Sequence, residues 1–335
     1  MTTIASAFGL SRDRFALPRE RAALDRLEQG LEQVEVRLAE VLRFTDPVAD
    51  SVARYLKEAG GKRVRPMLLL LAAQLGEGST DHVIDAAAVV EITHLASLYH
   101  DDVMDEADVR RGVPSTHTVW GNSIAILAGD LLFSRAASLT APLGEDVADL
   151  QARTFERLCL GQLYETLGPR DADPVEHYLR VLADKTGSLI AAAAELGIIV
   201  SGADQKYRQP MREFGEAIGV AFQLVDDVID LSNDPNTGKP AGTDVRAGVP
   251  TMPTLLLDGM DDTASVSLRD KLSHGEGDDF TDAVAELEEH SVTAETRRVA
   301  LEWQARGLEA LNGLPRGPVR RGLEEFARSV VDRRT

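Results

Sequence analysis

The chain has 335 residues and an acidic composition, with 55 Asp and Glu residues against 36 Lys and Arg residues and a formal net charge of −19. This charge argues against nucleic acids and anionic membrane surfaces as partners. Cys159 is the only cysteine, which excludes an internal disulfide and indicates a reducing compartment. No signal peptide and no uninterrupted apolar stretch of membrane-spanning length is found, so we expect a cytoplasmic protein without a transmembrane segment.

Helical periodicity dominates the sequence, and strand patterns are scarce. Residues 1–19 are expected to form a flexible N-terminal segment, and residues 20–43 show an amphipathic helical pattern. Pro66 opens a short apolar helix that Gly76 closes. Wide apolar faces predict further helices at 84–104, 122–140, 147–167, 174–200 and 210–232.

The polar stretch 258–282, rich in Asp and Gly, is predicted to be a surface loop. No shift in composition marks a domain boundary, so residues 1–335 are expected to form one domain. Helices that are apolar all round belong in the middle of a large bundle. The predicted fold class is therefore all-α, with the domain built as a helical bundle.

One acidic pattern, Asp-Asp-x-x-Asp, occurs at 101–105 and again at 226–230, within two of the predicted helices. Residues four apart lie on the same helix face, so the outer aspartates of each motif point the same way and repel each other. Such charges are costly in an apolar setting unless cations bind them. Carboxylates on facing helices often bind Mg²⁺ together with the phosphates of a substrate. The two Asp-Asp-x-x-Asp motifs therefore predict a Mg²⁺ site.

Three small basic groups accompany these motifs. Residues 60–66, Gly-Gly-Lys-Arg-Val-Arg-Pro, form a glycine-containing loop before a helix N-terminus, a setting that favours anions. Arg110 and Arg111 follow the first motif by about two turns, and 185–186 and 238–240 accompany the second. Each group alone is also consistent with a solvated turn or an exposed helix end. Together they predict a diphosphate ligand.

In this order, the motifs resemble those of the trans-polyprenyl diphosphate synthases. The resemblance runs from about residue 40 to 257, and its further parts are His94, Trp120–Asp130, Gly161–Gln162, Phe222–Asp230 and Gly238–Asp244. It implies an isoprenoid-synthase-type bundle around a deep central cavity. It also implies a homodimer and the head-to-tail condensation of isopentenyl diphosphate with an allylic diphosphate, giving a lipid product.

The resemblance implies a role for each matching residue. The isopentenyl diphosphate site would consist of Lys62, Arg65, His94 and Arg111. The allylic diphosphate site would consist of Arg110, Lys185, Thr186, Gln223 and Lys239. The principal metal ligands would be Asp101, Asp105 and Asp226, assisted by Asp102, Asp227 and Asp230. About three Mg²⁺ ions, for which Mn²⁺ can substitute, would stabilise the departing diphosphate together with Arg110 and Lys185.

In this family, side chains just before the first acidic motif help to set product length. Ala96 and Ser97 are small, and a deep apolar channel favours long chains, which predicts products of roughly 35 to 50 carbons. Tyr99, two residues before Asp101, could narrow the channel or pack against a neighbour. A geranylgeranyl diphosphate synthase is therefore the alternative.

Two more remote alternatives share parts of this pattern. A terpene cyclase has a similar first aspartate cluster, but its second metal motif usually carries Asn, Ser and Glu, and it lacks the basic loop. A catalytically silent subunit of a heteromeric synthase usually loses aspartates. All six aspartates and the basic loop are present here, which favours the active synthase.

Overall fold

The computed structural model of the chain describes residue 10, residues 17–232 and residues 240–332. Its first eight helices are α1 (Pro18–Val41), α2 (Pro47–Glu58), α3 (Val64–Ala73), α4 (Asp81–Met104), α5 (Thr116–Trp120), α6 (Asn122–Thr140), α7 (Glu145–Leu167) and α8 (Pro174–Leu182). The others are α9 (Ser188–Val200), α10 (Arg208–Asp230), α11 (Thr243–Arg246), α12 (Met252–Asp258), α13 (Thr263–His274), α14 (Gly277–Glu289), α15 (Ser291–Ala310) and α16 (Pro318–Val331). A π-helical turn, Ala183–Gly187, joins α8 to α9.

Strand content in the described ranges is limited to one antiparallel pair, β1 (Val109–Arg110) and β2 (Val113–Pro114). The predicted all-α fold class is confirmed. The chain divides into two compact units. Unit 1 consists of 1–155, 189–212 and 311–325, and unit 2 of 156–188, 213–310 and 326–335.

Unit 1 is built around α4, which packs against α1, α3 and α6. Thr80 caps α4 by accepting a hydrogen bond from the backbone N of Val83 at 3.4 Å. The middle of α4, from Val83 to Ala96, is almost entirely buried, as expected for a helix that is apolar all round. This packing fixes the helix whose C-terminal end carries the first acidic motif.

Unit 2 contains two apolar clusters. One joins Leu182, the buried side of α10 and Met252, and the other joins α13 and α14 through Leu268, Phe280 and Val284. The first cluster holds the C-terminal half of α10, which carries the second acidic motif.

Two predictions about secondary structure are wrong. The expected surface loop at 258–282 contains α13 and the start of α14, because Asp262 caps α13 and apolar residues every three or four positions are buried. The expected continuous helix at 174–200 is interrupted by the π turn. The expected flexible segment 1–19 lies mostly outside the described residues, although Leu10 is buried and α1 begins at Pro18.

One described segment, Asn122–Leu143, is long and apolar enough to cross a membrane by length and composition. Only 33% of its apolar window is buried in the structure. A single segment of this kind is weak evidence for a membrane span, so by itself it does not indicate a membrane protein. The segment contains Asp130 and Arg135, so it is not an uninterrupted apolar stretch.

Candidate active site

The first acidic motif lies at the C-terminal end of α4. Asp101 is half-buried, Asp102 is buried and Asp105 is exposed. Asp105 is the C-cap residue, and its backbone N donates to the carbonyl of Asp101 at 2.8 Å, so the last helical hydrogen bond keeps both residues on one face. The two outer carboxylates are therefore the accessible ones.

The middle carboxylate of this motif, that of Asp102, is bound by an arginine side chain. Arg110 Nε donates to Asp102 Oδ1 at 2.6 Å, while Asp102 Oδ2 is buried without a hydrogen-bond partner among the described residues. Burial raises the pKa of Asp102, although the Arg110 charge opposes the shift. Arg110 lies on β1, because α4 ends at Met104, where the sequence also predicts the end of a helix, and the chain continues into the strand pair.

The basic loop is held by Arg63, which caps α3 in a left-handed conformation with φ 47°. Its guanidinium donates to Glu91 Oε1 at 3.0 Å and to the backbone carbonyl of Gly60 at 3.1 Å, and it also pairs with Glu35. Gly61 has φ 144°, a conformation that strains any other residue, and a Cβ atom there would lie 2.5 Å from Arg63 Nη1. The exposed Lys62 is thereby carried on an anchored loop.

Arg65, His94 and Arg111 form a cationic cluster next to this loop. Burial lowers the pKa of Arg65 to about 10, with Arg111 adding to the effect and Glu91 opposing it. Burial and the charges of Arg65 and Arg111 hold the pKa of His94 well below its usual range, so its ring is neutral. Arg65 Nε is buried without a partner among the described residues. A buried, unpaired guanidinium nitrogen fits an oxyanion ligand.

Arg111 also anchors the backbone. Its Nη1 atom donates to the carbonyl of Leu56 at 2.9 Å and to the carbonyl of Gly60. Burial lowers the pKa of this guanidinium. Unit 1 thus brings together three of the four residues expected to bind isopentenyl diphosphate and places the fourth on the adjoining loop.

The second acidic motif lies at the C-terminal end of α10. Asp226 and Asp230 are half-buried and Asp227 is buried, which repeats the alternation of the first motif. Asp227 Oδ2 accepts hydrogen bonds from the Tyr178 hydroxyl at 2.8 Å and from the backbone N of Met252 at 3.0 Å. Burial raises the pKa of Asp227 to about 7 against these two donors.

Asp230 connects the motif to the chain that follows the undescribed residues 233–239. Its backbone carbonyl accepts from Gly242 N at 2.7 Å, and its Oδ2 accepts from Asp244 N at 3.1 Å. Lys239, expected in the allylic site, lies outside the described residues. Gln223, another expected contact, lies on α10 one turn before Asp226 and is half-buried.

Lys185 and Thr186 lie in the π turn between α8 and α9. Lys185 Nζ contacts Glu165 Oε2 of α7 at 2.5 Å. π turns are rare and occur often at functional sites, so the local geometry agrees with a binding role for this segment.

The positions expected to set product length lie on α4. Ala96 is fully buried, and Ser97 is half-buried with its hydroxyl donating to the carbonyl of His94 at 2.9 Å. Tyr99 is fully buried, and its hydroxyl donates to the carbonyl of Val52 in α2 at 2.5 Å. Tyr99 therefore packs against a neighbouring helix, which is one of the two roles considered for it.

The donor set of each acidic motif fits a hard divalent cation. All the candidate ligands are carboxylate oxygens, and the outer pair of each motif is at least partly accessible. Within the part of the chain that the structure describes, no group of three or more His, Cys, Asp or Glu residues forms a complete metal cage. Mg²⁺ is usually held by one or two carboxylates and completed by substrate phosphates and water, so the residues present fit it.

Several supporting residues were not identified from the sequence. They are Arg63, Glu35, Glu91, Tyr178, Glu165 and Arg157. Glu91 offered the clearest signal, because a single acid in the otherwise apolar stretch Ala86–Ile92 requires a buried cation. The other residues form hydrogen bonds with partners that are distant in the sequence.

Comparison with known proteins gives consistent matches. A family model described as Polyprenyl synthetase matches residues 46–287. The chain is 41% identical to nonaprenyl diphosphate synthase of Mycobacterium tuberculosis, with 87% of this chain and 89% of that protein covered. It is 34% identical to an all-trans-nonaprenyl-diphosphate synthase (geranyl-diphosphate specific) of Rhodobacter capsulatus, with 84% and 88% covered.

Solved structures give the same picture. The polyprenyl synthase from Caulobacter crescentus complexed with calcium and isoprenyl diphosphate matches with a TM-score of 0.85 at 30% identity, covering 93% of this chain and 98% of that one. Geranylgeranyl pyrophosphate synthase from Corynebacterium glutamicum, complexed with calcium and isoprenyl diphosphate, matches with a TM-score of 0.84 at 39% identity, covering 95% and 98%.

Proposed function

This chain belongs to the polyprenyl synthetase family, and we propose that it condenses isopentenyl diphosphate head-to-tail with an allylic diphosphate. The predicted class, a long-chain trans-prenyltransferase, is confirmed by its relatives. The observation that supports the substrate proposal is the cluster of Arg65, His94 and Arg111, in which the buried Arg65 Nε has no partner among the described residues. A terpene cyclase, which takes no isopentenyl diphosphate, has no use for this cluster.

We assign the isopentenyl diphosphate to Lys62, Arg65, His94 and Arg111. The neutral His94 ring donates one hydrogen bond without adding charge, and the guanidinium groups supply the forked donors that phosphate oxygens require. The clamp made by Arg63 holds the loop before the substrate arrives, so less ordering is needed on binding.

We assign the allylic diphosphate to Arg110, Lys185, Thr186, Gln223 and Lys239. Bound Mg²⁺, about three ions with Mn²⁺ as a substitute, would neutralise charge on the leaving diphosphate. Asp101, Asp105 and Asp226 would hold these ions, with Asp230 as a further ligand. Asp102 and Asp227, whose carboxylates already bind Arg110 and Tyr178, would support the outer aspartates.

The function is tested by incubating the purified protein with Mg²⁺, isopentenyl diphosphate and farnesyl diphosphate. We expect release of diphosphate that EDTA abolishes. Absence of turnover with every allylic primer would support a silent subunit, and hydrocarbon formation from an allylic diphosphate alone would support a cyclase.

For product length we propose roughly 35 to 50 carbons, since Ala96 and Ser97 are small and Tyr99 is bound to α2. The geranylgeranyl alternative has less support from the relatives. Chromatography of the dephosphorylated products against prenol standards measures the length. Ala96→Phe or Ser97→Phe should shorten the product, with Val266→Phe on the exposed side of α13 as the control. An unchanged distribution would show that the growing chain does not pass these positions.

We also propose a cytoplasmic homodimer. On α6, Ile126 and Leu127 are 42% and 62% exposed, next to the exposed Ile124. Asp130 in the same helix argues against a lipid environment, whereas a second copy of the chain can cover the apolar residues. Light scattering should report a dimer that Leu127→Asp dissociates, while a monomeric wild type would contradict the proposal.

A further inference from the structure

The π turn that carries Lys185 is an unusual local structure. It interrupts an otherwise helical stretch between α8 and α9 by one extra residue. Relaxation to a regular α-helix would rotate the flanking segments by about 100° relative to each other, because each residue turns the helix by that angle. Such a turn persists only where neighbouring groups stabilise it.

Besides the contact between Glu165 and Lys185 Nζ, two features of α7 contact this turn. A Cβ atom at Gly161 would lie 2.8 Å from the backbone nitrogen of Lys185, so glycine permits α7 to approach the turn closely. One turn earlier on α7, Arg157 directs its guanidinium at the same segment. Arg157 Nε donates to Asp184 Oδ1 at 2.7 Å, and its Nη2 donates to the carbonyl of Ala183 at 3.2 Å.

The third contact of Arg157 reaches α10. Its Nη1 donates to Glu216 Oε2 at 2.6 Å, so one guanidinium joins α7, the π turn and α10 within unit 2. The fork is geometrically specific, because the three nitrogens of a planar guanidinium bind three acceptors at once. A lysine has one nitrogen and cannot reproduce this arrangement.

We propose that Arg157 is a positioning residue for the reaction: it holds the π turn and thereby aims Lys185 at the allylic diphosphate. The assignment of Lys185 to that substrate rests on the proposed function. Arg157 itself touches no substrate. The alternative is a purely stabilising ion pair, since its side chain is 35% exposed and such pairs contribute little individually.

Kinetics with separate substrate titrations distinguish these roles. Arg157→Met keeps the length of the side chain and removes its donors. We expect KM for farnesyl diphosphate to rise about 10- to 100-fold, with KM for isopentenyl diphosphate changed less than about twofold, because misplacement of a binding group costs this much. Arg157→Lys should recover only part of the loss, and Asp184→Asn should act in the same direction.

Arg298→Met is the matched control, because Arg298 makes a comparable fork with Glu295 and Glu302 on the exposed side of α15. It should change neither KM. Equal changes of both KM values in Arg157→Met, or a lowered Tm with unchanged KM values, would overturn the proposal.

Hydrogen–deuterium exchange of the peptide that covers 183–187 gives a readout without turnover. Exchange in this peptide should be faster by about tenfold or more in Arg157→Met and unchanged in Arg298→Met. An inactive wild type would refute the proposed function, and the exchange result would still decide whether Arg157 holds the turn. Unchanged exchange would show that it does not.

Discussion

In the first acidic motif the buried middle carboxylate, Asp102, is bound by the guanidinium of Arg110, whereas in the second motif Asp227 is bound by a hydroxyl and a backbone amide. Both motifs leave their outer aspartates at least partly accessible. The same five-residue pattern is therefore supported by a charged donor in unit 1 and by neutral donors in unit 2.

This difference has an electrostatic consequence. A cation offsets much of the cost of burying Asp102, while neutral donors leave Asp227 with a pKa of about 7. The middle aspartates are thus bound by local structural contacts, which leaves the outer aspartates for the metal binding proposed above.

The largest effect is expected at the outer positions. Asp101→Asn and Asp226→Asn each remove a proposed metal ligand, and kcat/KM should fall by about a thousandfold or more in both. The exposed Asp149 on α7 provides a control, since Asp149→Asn should leave the rate unchanged. Near-normal activity in either outer variant would show that the two motifs are not equivalent.

The next effect concerns pH. The pKa of Asp227 is higher in the folded chain than in the unfolded chain, so between about pH 4 and pH 7 the folded state binds the extra proton. Without metal, the free energy of unfolding should fall as the pH rises through this window, by at most about 4 kcal/mol. Urea titrations should show a decline that Asp227→Asn lacks. Parallel pH profiles for the two proteins would contradict the assignment.

A smaller effect is expected from Asp102→Asn. The change leaves Arg110 without its anionic partner. Because that guanidinium is 29% exposed, the free energy of unfolding should fall by about 2 kcal/mol, which is less than for a fully buried pair. Asp227→Asn should be at least as stable as the wild type near neutral pH, since the amide oxygen can still accept both hydrogen bonds. Chemical denaturation at pH 7.5 compares the two variants, and the reverse order would overturn the electrostatic distinction.

The smallest effect is expected from Tyr178→Phe. It removes one of the two donors to Asp227, and the free energy of unfolding should fall by about 1 kcal/mol. Tyr207→Phe, which alters a tyrosine away from the acidic motifs, is the control. A loss of several kcal/mol would mean that the hydroxyl does more than bind this carboxylate.

Much of the fold was predictable because α10 has strong helical periodicity and α4 is a long stretch that is apolar on all its faces. The spacing of their aspartates then indicated which carboxylates share a face. The stretch 258–282 was misassigned because abundant Asp and Gly outweighed the buried Leu268 and Phe280. The exposed face of an amphipathic helix and a surface loop can have the same polar composition, so composition alone does not distinguish them.

Apart from the buried Glu91, the supporting contacts could not be predicted. Arg157 reaches Asp184 and Glu216, which lie 27 and 59 residues away in sequence, and the π turn that it contacts falls within a stretch predicted as one continuous helix. Similarly, the chain after α4 adopts left-handed conformations at Glu106 and Arg111, residues with no strong preference for that conformation. These features are set by tertiary packing.

The most direct test is calorimetric titration, with and without Mg²⁺, with a thio analogue of farnesyl diphosphate in which the bond between the allylic carbon and the diphosphate resists cleavage. We expect the wild type to bind the analogue only with metal, and both Asp101→Asn and Asp226→Asn to bind it at least about 100-fold more weakly. Equal binding without metal, or retention of full affinity in either variant, would contradict the claim that both aspartate motifs bind the diphosphate through magnesium.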